Sequence, residues 1–271
     1  MKNYVRLCLA LCLLAASLAA QTNTTPPPKV LVVGRELVKP GKSGTPHQKT
    51  ESAFVQAMTA ANWPTHYLGM DSLSGISRSL FFTGYDSFAA WEKDTLATIA
   101  NATLSAALDK AYIADGDLLT SNEQGVYVYR EDYSFNADVN IAQMRYFEIS
   151  VFKVRPGHVK DWETIVKMYT GNFGKADPNA HWATYEERYG RESGDVYVVL
   201  TPMKSLAEVD NSFASSKKFA AQLGEDGMKQ ISTLAAACIE SSESNLFMLN
   251  PKMSYVSDAW KAADPFWKPK Q

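Results

Sequence analysis

Residues 146–158 read Tyr146-Phe147-Glu148-Ile149-Ser150-Val151-Phe152-Lys153-Val154-Arg155-Pro156-Gly157-His158. A run rich in aromatic and β-branched residues ends in a basic-Pro-Gly turn, the pattern of a strand that stops sharply. The pattern stands once before: Val30-Leu31-Val32-Val33 and Glu36-Leu37-Val38 lead into Lys39-Pro40-Gly41-Lys42. The segments after the two turns also run in parallel. After the second, Trp162, Ile165, Val166 and Tyr169 fall at i, i+3, i+4 and i+7, the stripe of a core-facing helix. After the first, Phe54, Val55 and Met58 supply the apolar face, and Thr45 with Gln48 reads as a capping box with Pro46 at the first helical position.

Working outward, each helix gives way to a short strand, Thr65-His66-Tyr67-Leu68 or Ala180-His181-Trp182-Ala183. A third strand comes next, Ser79 to Thr83 or Val196 to Leu200, and then a capped helix start at Ser87 or at Ser205 with Glu208. A long Ala-rich helical region leads to a fourth strand, Gly125 to Tyr129 or Asn245 to Leu249. Pro40 and Pro156 are 116 positions apart, His66 and His181 115, Ser87 and Ser205 118, and Ser134 and Ser254 120. So steady an offset over eight elements in one order marks an internal duplication. Each copy reads β-α-β-β-α-β, the ferredoxin-like order. Its sheet carries both helices on one face and leaves the other face bare and partly apolar. The expected fold is therefore α+β: two tandem modules packed sheet to sheet as a barrel within one chain.

The chain accordingly divides into residues 1–20, a signal peptide; 21–28, a Pro-rich linker; 29–136, module 1; 137–145, a linker; 146–256, module 2; and 257–271, an aromatic tail. Lys2 and Arg6 precede the apolar run Leu7–Leu18, and Ser17-Leu18-Ala19-Ala20 supplies small residues for cleavage. That run is too short for a bilayer-spanning helix of about 20 residues, so export to a periplasmic or extracellular space is expected, with no membrane association once the signal is removed. Cys8 and Cys12 leave with it. Cys238 alone remains, so no intramolecular disulfide is available and the core must carry stability. A formal net charge of −2 gives no electrostatic reason to expect nucleic acid as partner.

The stretches Gly34-Arg35-Glu36-Leu37-Val38-Lys39-Pro40-Gly41-Lys42, Phe81-Phe82-Thr83-Gly84-Tyr85-Asp86-Ser87-Phe88-Ala89-Ala90-Trp91-Glu92 and Phe152-Lys153-Val154-Arg155-Pro156-Gly157-His158 resemble the dimeric α/β-barrel superfamily. Its members include antibiotic-biosynthesis monooxygenases, NIPSNAP-like, EthD-like and haem-handling proteins. The resemblance spans residues 29–256 and rests on strand exits and helix caps, so it speaks to fold and carries no catalytic signature. It implies that the two copies pair as an intrachain pseudo-dimer, alone or in a homo-oligomer.

No HExxH, CxxC, Gly-rich phosphate loop or GxSxG elbow is present, which leaves hydrolase, kinase and nicotinamide-dehydrogenase chemistry without a motif. No metal-ligand spacing is apparent and no cofactor is predicted, although the resemblance admits haem. His47 and His158, at the starts of the first helices, are expected to be solvated or hydrogen-bonded there. His66 and His181 hold matching places on the second strands and are the candidate catalytic or axial groups. Tyr67, Phe81, Trp182, Tyr185 and Tyr197 are the candidate lining of a cleft between the sheets that takes a small apolar or aromatic molecule. Two functions stay open: an exported binding module for such a ligand or a protein partner, and a monooxygenase-like enzyme, cofactor-independent or haem-associated, acting on an aromatic substrate. Glu186-Glu187-Arg188 with Arg191-Glu192 is expected to be a solvated hairpin end. Trp260, Phe266 and Trp267 suggest that the tail docks on a module.

Overall fold

Residues 24–190 and 194–268 are described in the computed structural model; the expected signal peptide and Arg191-Glu192 lie outside them. The element order is β1 (Val30–Val38), α1 (Thr45–Ala60), β2 (Tyr67–Ser72), β3 (Arg78–Tyr85), α2 (Phe88–Ala100), α3 (Ala102–Gly116) and β4 (Leu119–Tyr129), then β5 (Tyr146–Val154), α4 (Val159–Ala176), β6 (Ala183–Tyr189), β7 (Asp195–Met203), α5 (Ala207–Cys238) and β8 (Ile239–Leu249). A short α6 (Asp258–Ala263) comes last. The duplication is therefore structural, and the eight strands close into one antiparallel barrel in the order β1-β3-β2-β8-β5-β7-β6-β4. Closure occurs where modules meet, β2 against β8 and β4 against β6. It removes the free edges that each four-stranded sheet would otherwise expose.

Alternation along the strands decides what faces the interior. Leu31, Leu80, Phe82, Tyr127, Phe147, Ile149, Tyr185, Leu200, Phe247 and Leu249 point inward and form one apolar core. Burying an aromatic of this kind stabilises by about 1.5–3 kcal/mol. The opposite parity faces the helices. In module 2, Trp162, Ile165 and Val166 of α4 pack with Phe219, Ile231 and Cys238 of α5. In module 1, Phe54 packs with Leu104, Leu108 and Ala111. α5 is two rods, since Gly224 at φ +72° breaks the helical path. Module 1 breaks the corresponding region outright at Asn101, whose side chain accepts from Leu104 N at 3.1 Å.

The modules also exchange their trailing segments. Phe135, after β4, forms a backbone bridge with Trp182 beside β6; Tyr255, after β8, bridges Tyr67 of β2. The second crossing comes so close to β2 that a Cβ on Gly69 would stand 2.5 Å from Met253 O.

Several local expectations need correction. The second strands begin later than residues 65 and 180, at Tyr67 and Ala183. The Thr45 capping box does not form, because Gly44 is the α1 N-cap and no side chain caps it. Of the second box only one half is present, Glu208 Oε1 accepting from Ser205 N at 3.3 Å. Glu186 is no solvated turn residue: it sits within β6, buried, 2.8 Å from both Arg130 and Arg188. The Pro-rich linker lies against the barrel, where Pro28 O accepts from Tyr185 Oη at 3.1 Å. The tail docks: Trp267 is buried in the barrel core and its Nε1 donates to Ala142 O at 2.7 Å. Among the described residues no helix is long and apolar enough to cross a membrane.

Candidate functional site

Two cavities adjoin the second strand of module 2. The first, about 530 Å³, opens at the barrel mouth between the sheets. Its walls include His66, Phe82, Phe147, Trp182 and Tyr185, with Pro26–Pro28 and Trp260 at its edge. The rest of the barrel interior is filled by side chains. The second, about 800 Å³, lies between the outer face of the module 2 sheet and its roof of α4 and α5. Trp162, Tyr169, Phe173 and Trp182 line it, with Glu148 of β5 on the sheet side. His181 and Trp182 belong to both linings and so form the partition between them.

The candidate residues divide by strand parity. His66, His181, Trp182 and Tyr185 come together around the inter-sheet pocket. Tyr67 touches the same pocket, yet its ring packs near Phe81 and Tyr255, both at 6.3 Å, and its buried hydroxyl has no partner. Phe81 and Tyr197 are absent from the pocket lining. Neighbouring Phe82 supplies the inward ring, and Tyr197 packs outside the barrel against Trp162 at 5.3 Å and Tyr133 at 5.6 Å.

His181 is held at both ring nitrogens, Nδ1 3.0 Å from Asn179 O and Nε2 2.7 Å from Pro202 O. It fixes the partition, and because a backbone carbonyl stands against each ring nitrogen neither is open to a haem iron. The larger cavity has no other imidazole in its lining, so haem ligated by histidine does not fit there. His66 stacks on Tyr255 at 5.0 Å and makes no hydrogen bond among the described residues. Burial, and then the nearby Lys261 charge, lower its pKa and keep it neutral. His158 pairs with Asp161 at 2.7 Å, at the start of α4.

Two polar groups in the larger cavity's walls lack partners. Glu148 makes no hydrogen bond or ion pair among the described residues, and burial raises its pKa above the usual carboxylate range. The Trp162 indole N–H is buried without an acceptor. An unsatisfied buried group of this kind costs about 1–3 kcal/mol. β1 and β5 are both nine residues long, and aligning them places Val32 opposite Glu148 in the repeat. The acid is thus a feature of module 2 alone.

Module 1 carries its buried charge elsewhere. Glu36 of β1, His47 and Glu51 one turn apart on α1, and Asp115 of α3 meet beneath the helices, all buried. Glu36, Asp115 and Glu51 oxygens lie 3.0, 3.5 and 4.0 Å from His47 Nε2. Burial first, then Glu36 and Asp115, push the Glu51 carboxyl up to about 10. Linear spacing shows no metal motif here. The legible signal was His47-x-x-x-Glu51, which puts two titratable groups on one face of a helix.

No family profile matches the chain, and no curated protein matches it in sequence. Solved structures do match in fold. A provisionally named monooxygenase of Fusobacterium nucleatum subsp. nucleatum aligns over 83% of this chain and 94% of its own, with a TM-score of 0.53 and 14% identity. A mutant chlorite dismutase of Candidatus Nitrospira defluvii aligns over 83% and 93%, with a TM-score of 0.50 and 9% identity. The chain has the dimeric α/β-barrel fold that the strand exits suggested.

Proposed function

We propose that the protein binds a flat aromatic small molecule in the cavity between the module 2 sheet and α4–α5. The observation that carries this reading is an aromatic-lined space, walled by Trp162, Tyr169, Phe173 and Trp182, that holds one half-buried carboxylate without a partner among the described residues, Glu148. Rings such as Trp182 and Phe173 suit a planar ligand, and the carboxylate suits one that carries a hydroxyl. The inter-sheet pocket is the weaker candidate, since backbone carbonyls stand against both nitrogens of His181, His66 is stacked on Tyr255, and its volume is smaller. The reading includes export, on the strength of the signal-like N-terminus, and a single chain that supplies both halves of the barrel.

Calorimetric titration with 1-naphthol, and with naphthalene as a comparator lacking the hydroxyl, tests it. A hydrogen bond to a charged group is worth about 1.5–3 kcal/mol, so 1-naphthol should bind roughly 10–100-fold tighter. Equal affinities, or no binding of either, would remove the proposal.

A second reading rests on the same carboxylate. Glu148, with its pKa raised, is suited to take a proton from a phenolic substrate near neutral pH. Dioxygen would be the oxidant: the deprotonated ring adds O2 at carbon, and loss of water from the hydroperoxide leaves a quinone. Oxygen uptake with an electron-rich phenol, abolished by Glu148→Gln, distinguishes catalysis from binding.

A further inference from the structure

We propose that Glu36, His47, Glu51 and Asp115 form a buried site for one divalent first-row transition-metal cation, Zn2+ or Mn2+, in module 1. This site is separate from the module 2 cavity and does not depend on the function assigned to it.

The argument begins with proton positions. Ser79 Oγ donates to Asp71 Oδ1 at 2.6 Å, so its hydrogen is committed. Its lone pair then faces His47 Nδ1 at 3.4 Å and can only accept. That places one imidazole proton on Nδ1; Nε2 then either carries a second proton and donates to Glu36 Oε2 at 3.0 Å or offers a lone pair to a cation. Nε2 is the atom around which the carboxylate oxygens gather, at 3.0, 3.5 and 4.0 Å. Three carboxylates around one imidazole call for positive charge among them, which a metal ion or a set of shared protons supplies. Ligands bound tetrahedrally at 2.0–2.1 Å stand about 3.4 Å from one another, and these separations bracket that value. All four ligand atoms lie within 4.8 Å of one another, so the widest separations must close by up to about 1.4 Å around an ion.

Independent of the cluster's internal contacts, Glu51 Oε1 has no hydrogen-bond partner although the residue is 3% exposed. The donor set of one imidazole and three carboxylates favours a borderline or hard cation over a soft one. Outer contacts fit the same purpose. Thr50 Oγ1 donates to Asp115 Oδ1 at 2.6 Å, and Asn250 Nδ2 donates to Asp71 Oδ2 at 2.7 Å. Asn250 comes just after β8, so the chain His47–Ser79–Asp71–Asn250 ties the site to the segment that module 2 lends to module 1.

A site this deep takes its ion as the module folds. The test is therefore done on the whole mature chain, first as purified and then after unfolding in chelator and refolding with or without Zn2+ or Mn2+. Elemental analysis should find about one equivalent per chain, and either ion should raise the melting temperature of the stripped protein and release protons on binding. Glu51→Gln should weaken binding on the order of 100-fold, and Ser79→Ala, which loosens only the imidazole, by about 10–100-fold. No bound metal with no thermal response in the natural chain would overturn the proposal. So would metal binding that Glu51→Gln leaves unchanged. If Glu51→Gln does not fold, stoichiometry and proton release in the natural chain still decide: sub-stoichiometric metal without proton release means that the cluster shares protons instead.

Discussion

Phe135 and Trp182 stack face to face at 5.1 Å while their backbones exchange hydrogen bonds, Trp182 N to Phe135 O at 2.8 Å and Phe135 N to Trp182 O at 3.0 Å. One residue closes module 1; the other belongs to the partition between the inter-sheet cavity and the cavity under α4 and α5. The trailing segment of one copy thus backs Trp182 in the wall between the two cavities. Tyr255 repeats the arrangement on Tyr67. In this chain the duplication joins the halves through exchanged tails as well as through barrel closure.

Phe135→Ala should therefore affect two properties. Loss of the half-buried ring and its stack should cost about 1–3 kcal/mol by chemical denaturation. Affinity for 1-naphthol should fall as well, because Trp182 loses the ring that holds its face. A stability loss with unchanged affinity would uncouple the tail from the cavity.

Gly69→Ala probes the second exchange. The added methyl meets the Met253 backbone, which cannot yield as a flexible side chain would. Destabilisation of about 1–3 kcal/mol is expected, measured by urea unfolding.

Trp267→Ala addresses the docked tail. The indole is 2% exposed and hydrogen-bonded, so truncation should cost about 3–5 kcal/mol in a thermal or urea melt. A loss under about 1 kcal/mol would mean that the tail contributes little to the fold. The neighbouring Arg145–Asp264 pair and the Arg145 guanidinium over Phe266 at 4.1 Å support the docked position.

The pH dependence of Glu148 has a definite sign. Burial holds its folded pKa above the unfolded value, so the folded state keeps the proton longer. The associated stability is fully present below the ordinary carboxylate range and is lost as pH rises through the folded value. Glu148→Gln should thus gain stability relative to the natural chain as pH climbs from acid to neutral. Melting temperatures of both proteins across that range check it; a constant difference would contradict it.

Much of the fold was legible because it is written twice. A single strand–turn–helix pattern is ambiguous, but Pro40 and Pro156, or His66 and His181, repeat at nearly one offset and reinforce one another. Residue faces were harder to read. Phe81 and Phe82 are adjacent and chemically alike, and only barrel register decides that Phe82 points inward. Tyr197 fell outside the pocket for the same reason. The module 1 cluster draws on β1, α1 and α3, and Asp115 comes from a helix distant in sequence, so no local spacing could reveal it. Glu148 was hidden as one acid in an alternating strand, where a solvent-facing position is the ordinary reading; the stand-off of α4 and α5 is what gives it a cavity.

The most direct test is a crystal structure of the mature chain with 1-naphthol. The account predicts the bicyclic ring against Trp182, between the module 2 sheet and α4–α5, with its hydroxyl on Glu148. Ligand density at the barrel mouth beside His66, with the α4–α5 cavity occupied only by water, would contradict it.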